Sequence, residues 1–271
     1  MASSLMRYIL CLLCTCQLSI SWCQFDQSLN TARNIASGGQ DFLLLSPEAL
    51  YSNPAALING EASISGVLNY ANRYGTDIRS ASAGISWQND IQGGGLLIGN
   101  YGISGFRQNQ VSAAFARKLA KDTRLGIQVN YFNLQIEERG SQSNLDLSLG
   151  IQHDFSDKIS SGFYIVNPFA AATDNQIQGG TGLSVLGHIS DALSVYSSLY
   201  RDWGGNLDFR PGIQYELMDQ IDIIWSFSTE GVAMNFGTDI SLSRNWSVFL
   251  AYSTHQFLGN TLSFSTAYIF N

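Results

Sequence analysis

The chain has 271 residues, with 21 acidic against 14 basic side chains, a net charge of −7 and only 13% charged residues. No basic patch marks a nucleic-acid surface, and the chain is too apolar to be disordered. After the first 23 residues no apolar run reaches the ~18 residues of a helical membrane span, so passage through a membrane would require a closed barrel.

Residues 1–23 have the layout of a secretory signal peptide. Arg7 precedes an apolar stretch from Tyr8 to Ile20, and the small residues Ser21 and Cys23 suit a cleavage site. Trp22 before Cys23 argues against lipidation. Cys11, Cys14, Cys16 and Cys23 are the only cysteines. Cleavage therefore leaves a secreted chain with no disulfide and no thiolate metal site.

Residues 24–59 show no steady alternation and form an N-terminal segment, periplasmic or inside a lumen. It contains Ser37-Gly38-Gly39, Leu43-Leu44-Leu45 and Asn53-Pro54-Ala55. Asn bonds its own nearby backbone and Pro restricts the residue before it, so Asn53-Pro54 predicts a rigid turn. That turn either starts the first hairpin or plugs the lumen.

From residue 60 to 271 the chain alternates apolar and polar residues in stretches separated by turn residues. Fourteen strands are predicted, at 61–70, 78–88, 94–101, 110–119, 124–136, 144–155, 158–166, 181–189, 193–200, 207–217, 221–228, 235–242, 246–254 and 261–270. In the sixth, Leu145, Leu147, Leu149, Ile151, His153 and Phe155 alternate with Asp146, Ser148, Gly150, Gln152 and Asp154. Such alternation over about ten residues crosses a bilayer at a tilt. Tight turns follow the fourth, sixth, eighth, tenth and twelfth strands, as at Ser156-Asp157. Longer connections are expected after odd strands, as at 137–143, 167–180 and 201–206. Gly93-Gly94-Gly95 predicts a bend or bulge. The aromatics Tyr70, Trp87, Phe155, Tyr200, Trp203, Tyr215, Trp246, Tyr252 and Phe270 fall near strand ends, as in the girdles of a membrane band.

The face opposite the apolar one is rich in Ser, Gly, Asn, Gln and Asp, with few bulky residues, which suits a lumen better than a soluble core. The charges Arg124, Asp146, Asp154, Lys158, Asp208, Arg210, Glu216, Asp222 and Asp239 have this inward parity. They predict salt bridges across the lumen wall or a polar path for a solute. The three histidines, His153, His188 and His255, are scattered. Ser253 and His255 stand two apart without an evident orienting partner, so no catalytic set, metal centre or cofactor site is expected.

The last strand ends TLSFSTAYIFN, with Leu262, Phe264, Thr266, Tyr268 and Phe270 on one face. An aromatic next to last resembles the C-terminal assembly signal of outer-membrane β-barrels. The stretch ALYSNPAAL around Asn53, Pro54 and Ala55 resembles the N-terminal motif of the FadL-like outer-membrane barrels. Within that group the chain is most similar to the PorV/PorQ type of Bacteroidota, associated with type IX secretion, with the PorP/SprF type as a near alternative. The resemblance implies an all-β transmembrane up-and-down barrel in the outer membrane, both termini periplasmic. It implies lipid, the barrel-assembly machinery and secretion-system proteins as partners. The expected role is a non-enzymatic accessory or scaffold in protein secretion or surface display; the alternative is a transport barrel for a small or hydrophobic solute. A short chain with small loops and an N-terminal stretch of modest length departs from the family's transporters.

Overall fold

The computed structural model describes residues 29–39, 47–58, 63–170 and 179–270. The expected signal peptide lies outside the described residues. Fourteen antiparallel strands close into one barrel: β1 (Ser63–Asn72), β2 (Arg79–Gln88), β3 (Gln92–Ile103), β4 (Phe106–Ala120), β5 (Thr123–Ile136), β6 (Gly140–Ser156), β7 (Ile159–Val166), β8 (Gly180–His188), β9 (Leu193–Asp202), β10 (Leu207–Met218), β11 (Ile221–Ser228), β12 (Ala233–Ser243), β13 (Trp246–His255) and β14 (Gly259–Phe270). Each pairs with its sequence neighbours, and β14 pairs with β1 from Ile64↔Phe270 to Asn72↔Leu262. Closure leaves no strand edge, the condition for a sheet that meets hydrocarbon.

Period-two alternation sets the two faces. Ile64, Leu68 and Tyr70 of β1 point out, while Ser65, Val67, Asn69 and Ala71 are buried inside. The same rule leaves Ile98, Val111, Tyr131 and Leu250 exposed on the outer surface. A continuous outer belt of large apolar side chains belongs in lipid, and the molecule is a membrane β-barrel.

Each even-numbered strand from β2 to β12 is joined to the next by a link of two to four residues, and this rim is called the turn end. At four of these hairpins the register skips one residue, between Lys118 and Ala120, Asp154 and Ser156, Glu216 and Met218, and Ser241 and Ser243. The residues passed over are Leu119, Phe155, Leu217 and Leu242, all exposed. Each bulge thus adds one apolar side chain just inside the turn. Tyr268 and Phe270 lie at the same rim. Their rings meet edge to face at 5.0 Å, Tyr268 stands opposite Trp246, and Phe270 packs 3.5 Å from where a Cβ on Gly66 would sit.

The opposite rim is the loop end. The long connection expected after the seventh strand stands between Val166 of β7 and Gly180 of β8, but others are shorter than expected. The β3–β4 link is residues 104–105 and the β5–β6 link is 137–139. Strands β3 to β6 run to 12, 15, 14 and 17 residues. The hydrogen-bonded ladder runs on past the alternating stretch, through polar residues such as Ser141, Gln142 and Ser143 of β6 and past an apolar cluster of Phe106, Phe132, Leu134 and Ile136. Gly93-Gly94-Gly95 is also corrected: the β2–β3 register runs unbroken from Gln88↔Gly93 to Arg79↔Gly102, so there is no bulge. Tyr200 belongs to the inner face with Tyr196 and Ser198, not to an outer girdle. The inner face also carries bulky side chains that the pattern did not announce, among them Leu97, Phe132, Leu186, Tyr196, Ile224 and Phe249, all buried.

Removing residues 262–271 deletes the β14 ladder and should abolish heat-modifiable folding. In full-length protein, Leu68→Arg places a charge on the outer face four strand positions in from its rim-side neighbour Ile64. It should cost ~2–4 kcal/mol in a urea titration in vesicles, whereas Phe270→Arg at the rim should cost only ~0–1 kcal/mol.

Candidate functional site

The described part of the N-terminal segment lies inside the barrel. Helix α1 (Ala32–Ala36) is capped by Thr31, whose hydroxyl accepts from the Asn34 amide at 3.1 Å. It stops at Gly38 and Gly39, both at positive φ, a backbone that favours glycine. Five residues cannot hold a helix alone, so packing sustains it. Ala32 and Ala36, one turn apart, pack into a buried cluster with Leu186, Tyr196, Ile224, Phe249 and Ala251 of the wall. The Ala32 amide donates to Ser265 at 3.1 Å, and Ser226 donates to the Ala36 carbonyl at 2.8 Å.

Two 3-10 turns, Glu48–Tyr51 and Pro54–Leu57, cover the other side. Ala49, Leu50, Ala56, Leu57 and Ile58 pack with Leu97, Ala114 and Ala116. Asn53 caps the second turn, its side chain accepting from the Ala55 amide at 3.0 Å. The same side chain donates to the Ile151 carbonyl at 3.4 Å. The predicted Asn53-Pro54-Ala55 turn is therefore a turn held against the lumen wall.

Inward glycines permit this approach. A Cβ on Gly150 would collide with Asn53, one on Gly126 with the Pro54–Ala55 peptide, and one on Gly237 with Ala36. On Gly95 it would lie 2.9 Å from Leu50, and on Gly99 2.5 Å from Leu29. Gly93 likewise receives the Leu57 carbonyl, which would be 3.3 Å from a Cβ there. Glycine is needed on the wall because the segment's atoms occupy the places of side chains.

Of the nine charges expected on the inner face, Lys158 falls instead in the β6–β7 link, and the nine divide into groups. Arg124 bridges to Asp154 on the next strand and also donates to the Ile58 carbonyl at 2.8 Å, so it ties the segment to the wall. Asp154 also accepts from Ser160. Asp239 pairs with Arg33 of α1, which lies 4.5 Å over the Phe249 ring and 3.4 Å from Glu48. Arg210 pairs with Asp208 on its own strand and stacks 5.2 Å from the Tyr200 ring. Asp222 accepts from Gln214 at 2.7 Å. Asp146 is buried on β6, while Glu216 and Lys158 are exposed at the turn-end rim. Asp208 has a further task. The β10–β11 ladder stops at Gly212↔Ser226, beside Pro211, which has no N–H to give. Beyond it Asp208 accepts from Ser228, Thr229 and the Glu230 amide and closes the seam.

The histidines are placed in local roles. His153 meets Thr123 at 2.9 Å and the Phe155 ring, and His188 meets Ser194 at 2.8 Å. Strand β13 reaches His255, so Ser253 and His255 share the inner face. The Nδ1 atom of His255 accepts the Phe257 and Leu258 amides, both at 3.2 Å, and so orders the loop.

Towards the loop end, above the segment, lies a cavity of about 620 Å³. Leu29, Asn34, Leu50 and Tyr51 form its floor. Its walls include Gln110, Gln128, Asn130, Ser148, Tyr164, Tyr200, Arg210 and Asn235, and Arg73, Glu230 and His255 stand near its mouth. The sequence pattern singled out Asp208 and Arg210 here, but not Arg73, Glu230 or the individual amides, and it set Tyr200 in the outer girdle. The one signal of Gln110, Gln128 and Asn130 is inward parity on strands whose outer face is unmistakably apolar.

Burial raises the Glu48 carboxyl from 4.5 to about 7, against the opposing pull of Arg33. A carboxyl raised in the docked state favours docking below pH 4.5. That contribution is lost as pH rises from 4.5 through about 7. Opening events in planar bilayers should therefore be more frequent at pH 8 than at pH 5. Glu48→Gln should flatten that dependence.

No family model and no curated sequence relative matches the chain. Solved structures do. The toluene transporter TodX of Pseudomonas putida superposes with a TM-score of 0.64 at 11% identity, over 90% of this chain and 98% of that one. The toluene transporter TbuX of Ralstonia pickettii gives 0.63 at 12%, over 88% and 97%. A FadL homologue from Pseudomonas aeruginosa gives 0.57 at 12%, over 88% and 98%. At these identities the likeness is one of fold: the chain has the barrel architecture of FadL-type channels.

Proposed function

We propose that the protein is an outer-membrane transport barrel. A small solute enters the lumen from the loop end and passes when the N-terminal segment shifts from its seat. The observation that carries this reading is the cavity of about 620 Å³ whose floor is the protein's own N-terminal segment. A lumen with a binding volume above and a removable closure below suits passage under control. The shared fold with two toluene transporters supports the same class of function. The loop end would face outward, with the turn end and both termini periplasmic, and insertion would use the barrel-assembly machinery. The reading as a secretion scaffold of the PorV/PorQ type rests on the Asn53-Pro54-Ala55 resemblance alone. That motif already has a use here as the turn seated on Gly126 and Gly150. No step of transport calls for a catalytic residue.

Planar-bilayer recordings test this. Intact protein should show low steady conductance, and deletion of residues 24–58 should raise it. Gly126→Val, which fills the seat of the Pro54–Ala55 peptide, should raise it too while the barrel keeps its heat-modifiability. Open-channel currents in the intact protein as large as in the deletion would contradict the closure. Deletion without any gain would favour the scaffold.

A further inference from the structure

Charge divides sharply between the two faces of the wall. Every Asp, Glu and Lys of the described strands has inward parity. Four arginines, Arg79, Arg107, Arg117 and Arg201, have outward parity and are exposed. Arg117 lies towards the turn end, and the other three lie towards the loop end. Two of those three stand together. Gly102 of β3 is directly opposite Arg79 of β2 and directly opposite Arg107 of β4. The two arginines flank one residue in a single cross-strand row, two strand spacings or roughly 10 Å apart at the backbone. Gly102 has no side chain, so nothing between them keeps their guanidinium groups from converging. Neither makes an ion pair among the described residues, although Asp77, Glu137 and Glu138 stand in neighbouring links.

Below the pair the same face runs into the lipid belt. The next outward row is Ala81, Asn100 and Asn109, and the one after it is Ala83, Ile98 and Val111. The two amides offer further donors. Ile98 and Val111 are 58% and 49% exposed, so apolar surface begins within two rows of the arginines. Ala81 and Ala83 are half-buried between larger neighbours, with Tyr70 and Leu68 opposite them on β1. They form a shallow groove that leads from Arg79 towards the middle of the membrane.

We infer that Arg79 and Arg107 hold the phosphate of a net-anionic lipid against the outer wall, with an acyl chain along the groove of Ala81 and Ala83. The inference is independent of what passes through the lumen. A guanidinium meets phosphate oxygens through paired hydrogen bonds, and two of them can hold one phosphate monoester. A zwitterionic headgroup would bring an ammonium for which the strands offer no outward carboxylate. A soluble phosphate would meet the same arginines but leave the groove and the Ile98 and Val111 side chains unused. Any arginine at the rim of a bilayer reaches for headgroups. Arg201 is such a residue: it stands opposite Thr181 and Leu207, with no second cation beside it in the row. The pair across Gly102 differs in offering two guanidinium groups to one phosphate.

Native mass spectrometry of the full-length folded barrel in detergent, titrated with phosphatidic acid, phosphatidylcholine or inorganic phosphate, tests this. One phosphatidic acid per barrel should bind ~10-fold more tightly than phosphatidylcholine, about one charge-assisted contact. Arg79→Gln and Arg107→Gln should each bring the two lipids close to parity. Arg201→Gln should leave the preference intact. Heat-modifiability of each variant separates lost binding from lost folding. Inorganic phosphate at the concentration of the lipid should not displace it; displacement would assign the arginines to a soluble phosphate and overturn the lipid. Equal binding of the two lipids to the unaltered barrel would overturn the inference. So would a preference that Arg201→Gln lowers as much as Arg79→Gln does, since charge anywhere on the rim would then suffice.

Discussion

The interior of this barrel depends on how closely one stretch of backbone can approach another. The Pro54–Ala55 peptide and the Asn53 side chain lie where the Cβ atoms of Gly126 and Gly150 would be. Glycine at those inward positions of β5 and β6 lets the segment reach the wall, make its hydrogen bond to the Ile151 carbonyl and bury Leu50 and Leu57. Each such leucine contributes roughly 1.5–3 kcal/mol when removed from water. On the other side Gly237 admits Ala36, and Arg33 reaches Asp239. The segment therefore has two apolar footholds, one against β3 and β4 and one against β8, β9, β11 and β13, with ion pairs beside each.

A soluble protein would place its apolar residues inside and its charges outside. Here the outer belt answers to lipid, and the inner face is free to carry Ser, Asn, Gln and paired charges. That freedom is limited, since a buried polar group still needs a partner. Much of the wall meets the demand internally, as Asp208 does across the seam beside Pro211 and Arg124 does with Asp154 and Ile58. Elsewhere on the wall it goes unmet among the described residues, as at the Gln152 Oε1, Ser184 Oγ and Tyr196 hydroxyl atoms.

The architecture was legible because period-two alternation with an apolar outer face admits little else at this length, and β6 is its clearest instance. Strand ends were less legible. Ser141, Gln142 and Ser143 of β6 carry no alternation, yet the ladder with β5 continues through them to Ile136↔Gly140. The site was least legible. Gly126 and Gly150 read as ordinary strand glycines until the segment is placed against them, and Gly93-Gly94-Gly95 suggested a bulge where two glycines instead make room for Leu57 and Leu50. Contacts between residues about a hundred apart in sequence, such as Asn53 with Ile151, leave no local pattern. Arg33 and Glu48 lie in a stretch without alternation, so their burial could not be inferred from period.

The central claim is that residues 29–39 and 47–58 sit inside the closed barrel. A cysteine pair at Ala32 and Ser265 tests it most directly, because the Ala32 amide lies 3.1 Å from the Ser265 hydroxyl. All four native cysteines fall within residues 1–23, so after removal of that stretch the engineered pair is the only one. In barrels folded in membranes, mild oxidation should join the pair in most molecules. Recovery of free thiols at both positions, in barrels that remain heat-modifiable, would place the segment elsewhere and contradict the account.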